Sequence, residues 1–423
     1  MRRLKRPITF CLNLATLLIF TVTADAQELQ LSWEFQQKLN DASLRGLCVV
    51  DDSLIWASGS GGTVVKTADA GKSWKNVSPA GCEELDFRDI HAFDADNAVA
   101  INAGQPAVFY RTQDGGESWK KVFEHANESA FFDAVAAISS THLIAMSDPV
   151  DDRILLVEST DAGETWTELP VERRPEKLPG EAGFAASGSN MITDPDTGTI
   201  FLALGSAEEG TEHESSRIVY STDAAQTWET VVCPIKRNPS SGIFSLSYLP
   251  SKQLVAVGGD YLKPEEKAGI ISIVVFENRV EKIQRRIDEL VLEFNEMPGG
   301  DLRAFRSQRD RLRYYEDILE RAKADPAMEE DNLATFAECI VPKTSPSGFR
   351  SGVTFTQLKN EHTLVVTVGT NGGDYSLDDG QTWQSFSEEN FHAVKSTGSG
   401  TIWASGGKGR IAKLVISEPQ TKE

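Results

Sequence analysis

The chain has 423 residues, of which 40% are hydrophobic and 25% are charged, and its formal net charge is −21. This acidic balance argues against nucleic acid and anionic membrane surfaces as partners, because both carry negative charge. The five cysteines form no Cys-x-x-Cys pair and the six histidines do not cluster, so the sequence predicts neither a metal site nor a cofactor.

Residues 1–26 predict a cleavable secretory signal. Four basic residues lie within the first six, residues 8–23 are mostly apolar, and Ala24-Asp25-Ala26 offers a small-residue cleavage site. The apolar run is too short and too interrupted by polar residues to span a membrane. We therefore expect a periplasmic or secreted protein cleaved after Ala26, with 397 residues and a net charge of −24 in the mature chain.

One turn motif, Ser/Thr-x-Asp-x-Gly-x-x-Trp, recurs in the mature chain between short strand-like runs. Its aspartates are Asp69, Asp114, Asp161, Asp223 and Asp378. The aspartate bends back onto backbone N–H groups, the glycine takes a positive φ, and the tryptophan is buried between neighbouring sheets. The copy at Asp223 has Ala225 in place of the glycine. We interpret these aspartates as structural, and the repeat indicates a propeller or a solenoid.

The number of repeats follows from their spacing. Successive motif aspartates lie 45, 47, 62 and 155 residues apart. Residues 278–333 interrupt the last gap with a charged, glycine-poor, helical pattern, and without them that gap is about two units long. Seven inner strands can be aligned, and they begin near Leu44, Phe87, Phe131, Gly183, Gly242, Gly348 and Phe391. This predicts an all-β, seven-bladed β-propeller over residues 27–423.

The interruption at 278–333 predicts a helical hairpin inserted in the fifth blade. Apolar residues fall at spacings of three and four on both sides of a Met-Pro-Gly-Gly break at 297–300. Such stripes bury themselves against each other or against the flank of the blade. The alternative is a coiled-coil-like arm that docks a partner.

The two ends of the mature chain predict how the ring closes. Residues 401–413 resemble the middle strands of the first blade at 54–66, and the C-terminal copy then stops without an outer strand. Residues 31–34 match the outer-strand start at 72–75. An N-terminal strand that completes the last blade would remove the exposed sheet edges.

The start of each inner strand and the loop between the middle strands should meet at one channel mouth. The candidate residues for ligand or partner binding are Arg45, Arg88, Asp89, Asp133, Asp260, Tyr261, Arg350 and His392. Three arginines can bind a carboxylate or another anion, and two aspartates from adjacent blades can serve as acid and base in glycoside hydrolysis. The alternative is a polar plug in which the arginines and aspartates neutralise one another.

The motif strings STDAGETW and TQDGGESW, with the segments at 87–94, 181–188, 257–264 and 346–353, resemble the BNR/Asp-box propellers. The most similar subgroup is that of the photosystem II stability/assembly factor-like proteins, in its exported bacterial members. The resemblance implies a seven-bladed ring. For photosynthetic relatives it implies a non-enzymatic role in assembling a membrane protein complex through an arginine-bearing face. By position, Arg45, Arg88 and Arg350 could play that part.

Two functional hypotheses follow. The first is a non-catalytic scaffold that binds a protein or peptide at the funnel face. The second is a glycan-binding or sialidase-like, glycoside-hydrolysing propeller that uses Asp89 or Asp133 with Asp260, although the string around Arg88 lacks the proline of the sialidase Arg-Ile-Pro segment. In an oxidising compartment one disulfide is conceivable, and its pairing stays open among Cys48, Cys82, Cys233 and Cys339.

Overall fold

The computed structural model describes residues 29–194, 196–208, 210, 215–277, 279–295, 336–398 and 400–417, and parts of 308–323. Ser32–Val415 forms one compact unit, and the described residues outside it are 29–31 and 416–417. The signal predicted for residues 1–26 lies outside the described residues. No helix among the described residues is both long and apolar enough to cross a membrane.

Within the described residues, the strands form seven four-stranded sheets, and six of these follow chain order. The chain begins with β1 (Gln30–Phe35). The first sheet contains β2 (Leu44–Val49), β3 (Ile55–Gly59), β4 (Thr63–Thr67) and β5 (Lys75–Asn76). The second contains β6 (Phe87–Ala92), β7 (Ala98–Asn102), β8 (Ala107–Thr112) and β9 (Lys120–His125). The third contains β10 (Phe132–Ala137), β11 (Leu143–Val150), β12 (Arg153–Ser159) and β13 (Thr167–Glu168).

The fourth to sixth sheets follow the same plan. The fourth sheet contains β14 (Met191–Thr193), β15 (Ile200–Leu204), β16 (Ser215–Ser221) and β17 (Glu229–Lys236). The fifth contains β18 (Ser241–Tyr248), β19 (Gln253–Asp260), β20 (Ile271–Glu277) and β21 (Phe336–Ile340). The sixth contains β22 (Gly352–Gln357), β23 (Thr363–Gly369), β24 (Gly372–Ser376) and β25 (Gln384–Ser387). A 3-10 turn at Val171–Arg173 follows the third sheet. The seventh sheet contains β26 (Ala393–Lys395), β27 (Trp403–Ser405) and β28 (Ile411–Ser417), with β1 at its outer edge.

The inner strands close a ring. Each of β2, β6, β10, β14, β18, β22 and β26 contacts the next inner strand, and β26 returns to contact β2. The Gln36 N–H donates to the Ile411 carbonyl (2.9 Å), and the Trp33 ring packs on Phe391 with centroids 4.9 Å apart. The predicted seven-bladed propeller, with its last blade closed by the N-terminal strand, is confirmed.

The inner strand of the fourth sheet begins later than the sequence predicted. We expected it near Gly183, but β14 starts at Met191, and residues 183–190 instead form buried turns. Hydroxyl groups hold these turns in place: Ser187 Oγ donates to the Ser351 carbonyl, and Ser189 Oγ lies 2.6 Å from Ser245 Oγ. The segment therefore reaches across the axis toward the fifth and sixth sheets.

The repeated motif forms the same turn in each copy, as the one at Asp161 shows. Asp161 Oδ1 accepts hydrogen bonds from Ser159 Oγ (2.7 Å) and the Thr165 N–H (2.9 Å), and Oδ2 accepts one from Thr165 Oγ1 (2.6 Å). Gly163 has a φ of 85°, in the left-handed region that favours glycine. Trp166 is buried with its ring centroid 4.9 Å from that of Phe109 in the second sheet, so the turn joins two blades.

A helix, α1 (Arg279–Asn295), stands between β20 and β21, where the other blades with a motif place that turn. Arg285 ties its base to both strands, because Nε lies 2.8 Å from Glu277 Oε1 and a terminal nitrogen lies 2.9 Å from Glu338 Oε2. Ile287 and Leu290 are buried. The predicted helical insertion is confirmed. The break predicted at 297–300 lies outside the described residues, and further helical residues occur within 308–323.

Cys233 in β17 and Cys339 in β21 form a disulfide, with Cα atoms 5.6 Å apart. The bond joins the outer strands of the fourth and fifth sheets. Cys48 and Cys82 are free thiols in the described structure.

Candidate functional site

A cavity of about 430 Å³ lies where the inner strands begin. All seven sheets contribute to it: Arg45 from the first, Arg88 from the second, Phe131 and Asp133 from the third, and residues 183–186 ahead of the fourth. Phe244 and Tyr261 come from the fifth sheet, Phe349, Ser351 and Thr370 from the sixth, and His392 from the seventh. The cavity therefore lies on the axis of the ring. Five of the eight residues predicted for the site line it: Arg45, Arg88, Asp133, Tyr261 and His392.

Two arginines form the cationic wall of the cavity. Arg88 Nε lies 2.7 Å from Asp86 Oδ2, and its guanidinium carbon lies 5.6 Å from the centroid of the Phe131 ring. In the described part of the chain no ion pair or hydrogen bond engages Arg45. Burial and the neighbouring Arg88 lower the pKa of Arg45, but a guanidinium remains protonated in proteins. The wall thus presents an uncompensated positive charge to the cavity.

His392 lies beside this wall as a neutral group. Its Nε2 atom lies 3.2 Å from Ser43 Oγ. Burial and the charges of Arg45 and Arg88 lower the pKa of His392 to about 3, so the imidazole is uncharged near neutral pH. It can exchange hydrogen bonds with a ligand but adds no charge, and so weak a base is poorly suited to proton abstraction.

Four aromatic rings form the opposite wall. Phe184 and Phe244 stack with centroids 3.9 Å apart, and Phe349 meets Phe244 edge to face at 4.8 Å. Tyr261 stands edge-on to Phe184 and Phe244 at 6.4 and 6.3 Å, and it is 46% exposed at the rim. This wall can hold an apolar or aromatic side chain.

Asp133 lies between the two walls. The residue is 0% exposed, lines the cavity, and has no hydrogen bond of normal geometry to either carboxyl oxygen, although the Ala185 N–H is close to the carboxyl group. The neighbouring Asp148 accepts a hydrogen bond from the Gly183 N–H (3.0 Å). Burial raises the pKa of Asp133 well above its ordinary range, the Asp148 charge adds to this, and Arg88 opposes it. Burial also raises the pKa of Asp148, to about 6.

The other three predicted site residues are not among those that line the cavity. Asp89 accepts hydrogen bonds from two backbone N–H groups, that of Ile90 on Oδ1 (2.9 Å) and that of Val135 on Oδ2 (2.8 Å). Burial raises the pKa of Asp89 to about 7. Asp260 caps its own loop by accepting hydrogen bonds from Ser240 Oγ and the Leu262 N–H.

Arg350 is fully buried against Asp374, with Nε 2.7 Å from Asp374 Oδ2. The arginines that pair with aspartates therefore use Asp86 and Asp374. They do not pair with Asp89, Asp133 or Asp260, which the plug hypothesis had named.

The sequence analysis missed the aromatic wall, although a signal was present. Phe184, Phe244 and Phe349 each occupy the second or third position of an aligned inner-strand start. Because the starts of the inner strands meet at the axis, aromatic residues that recur near these starts could have been expected to lie together there. Asp148 was noted only as part of a loop. Among the described residues, no group of three or more His, Cys, Asp and Glu side chains could hold a metal ion.

The closed ring and its five aspartate turns define the chain as a BNR/Asp-box repeat propeller. A family model described as photosynthesis system II assembly factor YCF48 matches residues 25–130, about a quarter of the chain. No curated protein matches the sequence. Over those residues the chain is similar to the photosystem II assembly factor-like propellers.

Three solved structures illustrate the likeness. YCF48 bound to D1 peptide has a TM-score of 0.51 at 16% identity, covering 91% of this chain and 95% of its own. YCF48 from Cyanidioschyzon merolae has a TM-score of 0.54 at 15% identity, covering 90% and 98%. The GH74 xyloglucanase from Xanthomonas campestris has a TM-score of 0.50 at 13% identity, covering 90% of this chain and 53% of its own. At these identities the likeness shows the fold alone.

Proposed function

We propose that this propeller is an exported, non-catalytic scaffold that holds a protein or peptide partner in its axial cavity. The proposal rests on two features of one cavity. Arg45 has no ion-pair or hydrogen-bond partner among the described residues, and an aromatic wall lies across the cavity from it. A peptide segment that ends in a carboxylate and carries an apolar side chain complements both walls.

The size of the cavity is compatible with such a ligand. About 430 Å³ is enough for one or two amino-acid residues, within the usual range for small-ligand pockets. The chain as a whole is strongly acidic, so the two arginines form a local positive site on a negative protein. An anion is therefore drawn to the axis and repelled from most of the surface.

Two features support export. The basic and apolar start of the sequence leads to a cleavage site after Ala26. The Cys233–Cys339 disulfide suits an oxidising compartment, where such bonds persist.

The solved complex of YCF48 with D1 peptide supports the binding role, because it is a propeller of the same fold that binds a peptide.

Binding is favoured over glycoside hydrolysis by the placement of the carboxylates. Hydrolysis needs two carboxyl groups on opposite sides of a bound sugar, roughly 5–9.5 Å apart. Of the three aspartates predicted for that role, Asp133 alone is among the residues that line the cavity. Its acidic neighbour, Asp148, lies on the same side, because both carboxyl groups flank Gly183.

The test is binding of a defined probe to the mature protein. N-acetyl-Ala-Ala-Phe as the free acid should bind at least about tenfold more tightly than its C-terminal amide, because the amide cannot pair with the arginines. Arg45→Ala should remove this difference. Lys72→Ala, which deletes an exposed positive charge on a turn of the same sheet, is the matched control and should retain it. Equal binding of acid and amide by the unmodified protein would refute the proposal.

A further inference from the structure

We propose that Asp133 is a proton-donating subsite of the axial cavity, at which its neutral carboxyl O–H donates a hydrogen bond to the carboxylate of the bound peptide. The inference rests on the function proposed above and adds a residue with a distinct role. Arg45 and Arg88 supply charge, whereas Asp133 supplies a hydrogen bond only while it carries a proton. Capture of the partner is then coupled to pH.

The first argument is that neither carboxyl oxygen of Asp133 has a hydrogen bond of normal geometry, although the Ala185 N–H is nearby. Buried polar atoms are nearly always hydrogen-bonded, and a carboxyl group left without partners is costly. Both oxygens of Asp133 are buried without a partner, and both side-chain polar atoms of the adjacent Asn190 are in the same condition. Asp133 lines the cavity with both oxygens covered, so a ligand satisfies the carboxyl group by displacing the wall beside Gly183.

The second argument is that the local backbone keeps this position open. A methyl group on Gly183 would come within 2.5 Å of Asp133 Oδ2 and 3.1 Å of Asn190 Nδ2. The glycine thus leaves room for the carboxyl group at the cavity wall. The Gly183 N–H meanwhile binds Asp148, so Asp148 is engaged while Asp133 is not.

The third argument is electrostatic. The charged groups that face Asp133 are Asp148 on β11 and Arg88 on β6. Asp89, also on β6, is occupied by backbone N–H groups, and farther around the cavity lie Arg45 and the neutral His392. Two carboxyl groups this close hold one proton between them more readily than they both ionise. A neutral acid attracts a ligand carboxylate, whereas an ionised one repels it.

The experiment is calorimetric titration of the mature protein with N-acetyl-Ala-Ala-Phe between pH 5.5 and 8.5, in two buffers of different ionisation enthalpy. The unmodified protein should bind with net proton uptake. Its affinity should fall by about tenfold per pH unit above the apparent pKa of the carboxyl pair. Proton uptake is measured on the unmodified protein, so this readout does not depend on the folding of any variant.

Three variants locate the proton. Asp133→Asn keeps a hydrogen-bond donor but cannot ionise, so its binding should be independent of pH. Asp148→Asn removes the neighbouring negative charge, which should move the pH midpoint downward. Asp151→Asn, an exposed acid on the same sheet, is the control and should leave the profile unchanged.

The outcomes separate the two proposals. Binding of the acid without proton uptake, or an unchanged pH slope in Asp133→Asn, overturns the role of Asp133 and leaves the scaffold function standing. Absence of binding by the unmodified protein at every pH overturns the carboxylate site itself, and the role of Asp133 with it.

Discussion

Replacing Arg350 with alanine is expected to destabilise the sixth blade without weakening the binding site. The Arg350 guanidinium is fully buried, and it donates to Asp374, the Phe349 carbonyl (2.7 Å), Asn371 Oδ1 (2.7 Å) and Ser347 Oγ (2.8 Å). Removing it leaves the Asp374 carboxylate buried without its counter-ion. Breaking a buried ion pair in this way costs about 3–5 kcal/mol of the free energy of unfolding.

The assay is urea unfolding followed by tryptophan fluorescence, with midpoints compared only where the m-values agree. Asp374→Ala should cost a similar amount. The double variant should cost little more than either single one, because the second deletion removes the isolated charge. This corresponds to a coupling energy nearly as large as the cost of either single variant, about 3 kcal/mol or more. The affinity of folded Arg350→Ala for N-acetyl-Ala-Ala-Phe should stay within about twofold of the unmodified protein.

A different result would return Arg350 to the binding site. If Arg350→Ala unfolds at the same urea concentration as the unmodified protein but loses the probe, its guanidinium acts on the ligand. The buried pairing described above would then be wrong as an account of its role.

Four further predictions concern the scaffold. Gly163→Ala should lower the free energy of unfolding by about 2–4 kcal/mol in urea, because the new methyl group would lie 2.6 Å from Val99 Cγ2 at a φ of 85°. Ala225→Gly should change it by less than about 1 kcal/mol, since relief of a φ of 61° is offset by the loss of a buried methyl group. Cys339→Ser opens a 106-residue loop and should cost about 2–4 kcal/mol, and dithiothreitol should destabilise the unmodified protein but not this variant. Hydrogen bonds from Ser73 lower the pKa of Asp69 to about 2, so its contribution is present above about pH 4 and is lost as pH falls toward 2; Asp69→Asn should therefore flatten the dependence of the urea midpoint on pH in that window.

The number of blades could be predicted because its signals are local. A turn whose aspartate bonds to its own backbone, as Asp161 does, is encoded within eight residues and is visible wherever it recurs. Ring closure followed from the same logic, since residues 31–34 repeat the outer-strand start that the last blade lacks. The prediction of where the fourth inner strand begins was wrong, because contacts to distant residues, such as the hydrogen bond from Ser187 Oγ to the Ser351 carbonyl, decide the path of that segment.

The membership of the site could be predicted only in part, because side-chain pairing is not local. Arg88 is the second residue of its aligned inner-strand start and lines the cavity, whereas Arg350 is the third residue of its start and is buried. Their partners differ as well: Asp86 engages only Nε of Arg88, whereas Asp374 and the groups around it engage all three guanidinium nitrogens of Arg350. The disulfide was equally hidden, since Cys233 and Cys339 meet only through the packing of neighbouring outer strands.

The near-symmetry of the ring makes the asymmetry of the cavity informative. Each blade delivers between one and four residues to the axis, so a ring without a preferred ligand would have no reason to segregate them. Here the charged or acidic side chains come from the first three blades, at Arg45, Arg88 and Asp133, with Phe131 among them, whereas the fourth to sixth blades contribute Phe184, Phe244 and Phe349 and the seventh contributes the neutral His392. A ligand with one charged end and one apolar side chain can satisfy both halves in only one orientation. If the proposed peptide binds there, the order of the blades fixes the direction in which it lies.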